Sequence, residues 1–117
     1  MKIDLAPLRD LAGFIGAAVI DSETGLILGQ LGVDAQTLEA AAAANADVVR
    51  AARRMVQSLE IQDDLEDLLV CLWSQYHIVR TIGRNPAILI YVMLDRRNAN
   101  LGGARLALRQ VERSIEA

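Results

Sequence analysis

The chain has 117 residues, enough for one domain that buries roughly two-thirds of its unfolded surface. Hydrophobic residues make up 53% of it and aromatics only 3%, so its core is expected to be aliphatic, with apolar surface left over for a partner. A net charge of −3 offers no basic field to nucleic acid, and the longest apolar run, Ala87 to Leu94, falls far short of the roughly 18 residues of a membrane span. The single Cys71 excludes an internal disulfide, and the opening MKIDLAPLRD has no secretory apolar run. Together these features point to a cytoplasmic protein.

In chain order, residues 3–12 are expected to form a short helix capped by Asp4, with Leu5 or Ile3, Leu8 and Leu11 as its apolar stripe. Phe14 to Ile20 is apolar on both faces, the mark of a strand covered on both sides. Asp21 to Gly25, DSETG, then supplies turn chemistry, and Leu26 to Leu31 returns as the second strand of a hairpin. Asp34 can cap a long helix reaching about Glu60. Within it Leu38, Ala41, Asn45, Val48, Ala52, Met55 and Leu59 recur at alternating spacings of three and four, and Ala42, Val49 and Val56 widen that stripe. Arg50, Arg53, Arg54 and Gln57 fall largely on the other side. The alanine run from Ala40 to Ala44 is therefore helix and not linker, since alanine has the highest helix propensity.

Leu65 to Trp73 reads as the third strand, Ser74–Gln75 as a tight turn, and Tyr76 to Ile82 as the fourth strand. After GRNP (Gly83 to Pro86), Ala87 to Leu94 is apolar on both faces and belongs in the middle of the sheet. Asn98 or Asn100 caps a last helix, along which Leu101, Ala104, Leu108, Val111 and Ile115 repeat the helical spacing. Gly102 and Gly103 weaken its first turn, a cost that close packing on the sheet would explain. The expected fold is α/β (α+β), in the order α-β-β-α-β-β-β-α over residues 1–117. It is a five-stranded antiparallel sheet with the long central helix on one face and the N- and C-terminal helices on the other.

No constellation for catalysis, cofactor or metal stands out. The glycines of GFIG and GLILGQLG lack the lysine of a phosphate loop. His77 has no second ligand nearby to complete a zinc set, and a Cys71–His77 dyad across a hairpin has neither an orienting acid nor an oxyanion stabiliser. The acidic run Asp63 to Asp67 lacks the pattern of a calcium loop. Two surfaces remain. Arg50, Arg53 and Arg54 form either a wet helix face or a dock for an acidic partner. The five alanines keep the long helix slim enough for a second backbone to approach, and Asn45 could pair with its symmetry mate and fix register. Otherwise the alanines pack on the chain's own sheet with Asn45 turned to solvent.

Given this order of elements, GFIGAAVIDSETGLIL (Gly13 to Leu28), the alanine-rich helix and NANLGGARLALR (Asn98 to Arg109) resemble the roadblock family, the dynein light-chain type of small α/β domain. The resemblance covers essentially the whole chain and departs from the family at the short N-terminal helix containing Pro7. It implies a homodimer or a heterodimer, or a tetramer of the chain, with central helices side by side and sheets joined through the third strand. The implied interface comprises Leu38, Ala41, Ala42, Asn45, Val48, Val49, Ala52 and Met55 on the helix, with Leu68, Val70 and Leu72 on the strand. The resemblance further implies a non-enzymatic regulator or scaffold of a Ras-like small GTPase, which Arg50, Arg53 and Arg54 help dock. A structural adaptor with no GTPase partner and a small-ligand-sensing domain of similar architecture are the readings left beside it.

Overall fold

Seven consecutive buried residues, Ile88 to Leu94, mark the strand around which the fold is built. The computed structural model of the chain describes residues 2–115. Its elements are α1 (Ala6–Arg9), β1 (Phe14–Asp21), β2 (Ile27–Gly32), α2 (Ala35–Ser58), β3 (Asp67–Cys71), β4 (Gln75–Ile82), β5 (Asn85–Asp95) and α3 (Leu101–Ser114). This is the order the sequence predicts. The sheet runs β2-β1-β5-β4-β3, and every neighbouring pair is antiparallel. β5 therefore lies in the middle, as its doubly apolar pattern requires.

Alternation along the strands divides the core in two. Ala17, Val19, Ile78, Ile90 and Val92 face α1 and α3, where Leu8, Leu108 and Val111 are fully buried. Ala18, Ile20, Val79, Leu89, Tyr91 and Met93 face α2, where they meet Leu38, Ala42 and Val49. Each fully buried aliphatic side chain of this kind contributes about 1.5–3 kcal/mol.

Local chemistry sets the helix ends. Asp34 caps α2, its carboxylate accepting from the Thr37 N–H at 2.8 Å and the Thr37 hydroxyl at 3.0 Å. Those bonds, the backbone one foremost, hold the Asp34 carboxyl below its ordinary pKa. α2 stops at Ser58, and Glu60 follows with φ of 55°, the left-handed turn that ends many helices. Asn100 caps α3, its side-chain oxygen accepting from the Gly103 N–H at 3.0 Å. Gly102 and Gly103 border this capping side chain: the nearest atoms to a Cβ added at either belong to Asn100, not to the sheet.

Most boundaries shift by one or two residues from the sequence expectation, β5 starting at Asn85 inside GRNP, and the larger differences lie at the first helix and at β3. The first helix is one turn, not residues 3–12; Asp4 bonds the Ala6 N–H ahead of it and Pro7 sits in its first turn. Beyond it Gly13, at φ of +77°, turns the chain into β1 where an added Cβ would meet the Asp95 carbonyl at 2.7 Å. β3 is shorter than Leu65 to Trp73 at both ends; at the far end the Leu72 N–H donates to Gln75 O at 2.9 Å and closes the hairpin one residue early. Trp73 and Ser74, rather than Ser74 and Gln75, are the corner residues.

Candidate functional site

α2 packs over β1 and β2 and meets the centre of the sheet, but it does not extend across the β3 side of its face. Leu68 and Val70 stand on that face, opposite Val79 and His77 in the β3–β4 register. Leu68 is half-buried, Val70 is 37% exposed and Leu72, just beyond the strand, is 44% exposed. The flank of α2 that points away from Arg50 is apolar as well. Ala41, Ala52 and Val56 are half-buried along it, while Val48, Met55 and Leu59 are exposed, Met55 by 57%. Leu38, Ala42 and Val49 have no exposed surface and belong wholly to the chain's own core; Asn45, 9% exposed, marks the margin. Of the helix residues expected at an interface, those with accessible surface are therefore Ala41, Val48, Ala52 and Met55, with Asn45 at the border.

β3 is also an edge strand with regular geometry. Thr81 N–H donates to Glu66 O at 3.1 Å, and Leu72 N–H to Gln75 O at 2.9 Å. By antiparallel alternation, Leu68 and Val70 then turn their backbone groups to β4, while Asp67, Leu69 and Cys71 turn theirs to the open side. Arg105 holds this edge from behind, its guanidinium reaching the Asp67 carboxylate at 3.0 Å.

A hydrogen-bonded row runs from the fully buried Tyr91 under α2 out through the half-buried His77 and Gln75 towards the open margin of the face. Burial pushes the Tyr91 phenol up to about 12 and holds the His77 imidazole below its usual pKa, so near neutral pH both are uncharged. The Tyr91 hydroxyl then donates to His77 Nδ1 at 2.7 Å, and Nε2–H donates to Gln75 Oε1 at 2.7 Å. The Gln75–His77 spacing of two, which places both on one face of a strand, is the sequence signal for this row; Tyr91 arrives only through the tertiary pairing. Cys71 pairs with Tyr76 and points to the opposite face from His77, so the two form no dyad.

The arginines are used unequally. Arg50 donates to Ser22 O at 3.2 Å and pairs with Asp47, and Arg53 donates to Pro86 O at 2.7 Å. They thus tie α2 to the turn after β1 and to the start of β5, and line an open groove of about 510 Å³ with Ser22, Glu23 and Asn85. Arg54 is exposed and has no hydrogen bond or ion pair among the described residues. In the acidic run, Asp63 and Asp64 accept from the next backbone N–H, and Asp67 belongs to Arg105. Among the described residues no group of three or more His, Cys, Asp or Glu is placed to hold a metal ion.

No protein-family model and no curated protein matches the sequence. Solved structures do. The chain superposes on a Roadblock/LC7 domain from Streptomyces avermitilis with a TM-score of 0.85, covering 94% of this chain and 88% of that one at 16% identity. The gliding protein MglB from Thermus thermophilus follows with a TM-score of 0.77, 94% and 80% coverage and 18% identity. An MglB in a tetrameric arrangement gives 0.75, 92% and 77% coverage and 20% identity. The chain has the roadblock fold. At these identities the likeness is carried by the arrangement of helices and strands. No helix among the described residues is long and apolar enough to cross a membrane.

Proposed function

We propose that this roadblock-fold chain acts as a non-enzymatic homodimer that regulates or scaffolds a Ras-like small GTPase. The observation that carries the reading is the half-roofed face: apolar side chains on β3 and on one flank of α2 border sheet that no helix among the described residues covers. Contiguous apolar surface of this kind marks an interaction site, and a regular open edge strand beside it invites pairing. Joining two copies through β3 satisfies both at once. The floor between the outer strands of β4–β3–β3–β4 is then about 14 Å wide, at about 4.8 Å per strand. Two helices packed at about 8–10 Å can roof it, provided their facing flanks are slim, as Ala41, Val48 and Ala52 are. The tetrameric arrangement of an MglB supports self-assembly by this fold.

The GTPase half of the reading rests on the roadblock resemblance and on Arg54, a cation on the outer side of α2 with no hydrogen bond or ion pair among the described residues. Arg50 and Arg53, held by backbone carbonyls, flank it in fixed positions and give the surface orientation as well as charge. Any effect on hydrolysis then works by holding the switch segments of the GTPase, with the catalytic groups its own. The test is retention of the host's Ras-like GTPases, loaded with GDP or a non-hydrolysable GTP analogue, on the immobilised protein. The double variant Arg50→Glu, Arg54→Glu is expected to lose retention while remaining dimeric. Retention by neither protein would leave a dimeric adaptor without a GTPase.

A further inference from the structure

Trp73 is the sole tryptophan of the chain and is 100% exposed at the β3–β4 turn. Nothing about its turn is loose. Arg96 donates to Leu72 O through Nη1 at 2.9 Å and to Ser74 O through its backbone N–H at 3.0 Å. Its guanidinium lies 5.0 Å over the Tyr76 ring, and the Leu72 N–H closes the turn onto Gln75. A large aromatic side chain is thus held out into water on a fixed backbone, which lowers the ordering cost of binding something with it. Tryptophan is also the residue type most enriched among the few that dominate an interface.

The geometry points to a second copy of this chain as its occupant, with Trp73 packing against the connection between α2 and β3 of that copy. This rests on the dimer reading and adds a register to it. The outward backbone groups of β3 belong to Asp67, Leu69 and Cys71, a set whose centre is Leu69. A two-fold antiparallel pairing centred on Leu69 uses all three: Leu69 meets its counterpart, and Asp67 meets Cys71 in both directions. Moving the centre by one residue leaves one of the three without a partner in the set. The same register sets Leu68 across from Val70 on the α2 side, an apolar pair in both halves. Asp67 is already neutralised by Arg105 and does not meet its own copy, so charge does not oppose the pairing. Residue 73 then falls opposite residue 65. There the second copy offers Leu65, half-buried, with Leu59 and Ile61 exposed a few residues upstream. The other edge strand, β2, is a poorer template. It carries a register shift, two glycines, and Ile3 lying 3.3 Å from where a Gly29 Cβ would stand.

Because Trp73 is the only tryptophan, its emission reports its environment directly. The protein is diluted from high micromolar to nanomolar concentration while light scattering records mass, and emission wavelength and acrylamide quenching are followed. The expected result is a red shift and a rise in quenching in step with the halving of mass. Trp73→Ala is expected to raise the dimer dissociation constant about 30-fold, with Trp73→Phe much milder. Since the side chain buries nothing in its own subunit, the alanine variant keeps its fold. A mass that halves with no change in emission or quenching overturns the Trp73 contact and leaves the dimer standing, as does wild-type association of Trp73→Ala. A monomer at every concentration overturns both.

Discussion

On the side of the sheet under α1 and α3, apolar packing runs from edge to edge. Leu31 of β2 and Leu69 of β3 both join it, and the ion pairs Arg80–Glu112 and Arg105–Asp67 fasten the β4–β3 end to α3. On the other side the packing under α2 includes Val79 of β4, but Val70 and Leu72 are left exposed, and a histidine replaces the aliphatic residue expected beside them. Both sides derive from strands of similar composition. The difference is one of cover: two elements roof the first face and a single rod lies across the second. This unfinished side on an otherwise complete core is the observation on which the proposed self-association rests.

The contrast can be broken on its closed side with the largest effect. Leu108→Ala removes a fully buried side chain beneath α3 and is expected to cost about 2–5 kcal/mol of folding stability, measured by denaturant unfolding. That loss should be the same at every protein concentration. The open side should behave in the opposite manner. Val70→Arg is expected to leave the monomer's unfolding free energy within about 0.5 kcal/mol of wild type, yet to weaken the dimer by about 3 kcal/mol or more, read by sedimentation. A Val70→Arg protein that associates normally would mean the uncovered face is not the interface.

The smallest effect concerns pH. Burial holds the folded-state pKa of His77 below 6.5, so as pH falls the unfolded chain takes up this proton first. Stability attributable to His77 is therefore complete above 6.5 and declines as pH drops towards its folded-state value. His77→Gln, which keeps an acceptor for Tyr91, is expected to flatten that slope in melts between about pH 5 and 7. Tyr91 acts at the other end. Its pKa of about 12 against 10.0 means that stability falls as pH rises through that interval.

How far residues alone could carry this picture follows from what their patterns contain. The doubly apolar run Ala87 to Leu94 announced a central strand, and Asp34 and Asn100 announced helix starts, because those signals are local. The angular position of the helix was not local. With alanines at 40 to 44 the apolar arc has no sharp border, so a stripe through Leu38, Asn45, Val48 and Met55 looked continuous. In the fold it divides, with Leu38 buried and Met55 exposed. Hydrophobicity likewise did not separate Leu72 and Trp73 from β3, because a hairpin's corner is set by its hydrogen-bond register. The tethers of Arg50 to Ser22 and Arg53 to Pro86 join positions far apart in the chain, and no short-range pattern encodes them.

The claim on which the rest depends is that the half-covered face is closed by a second copy. Light scattering on the purified protein, from about 1 to several hundred micromolar, tests it most directly. The expected mass at the upper end is twice the 12.7 kDa of the chain, returning to one chain on dilution or in Val70→Arg. A particle of one chain mass across the whole range would contradict it.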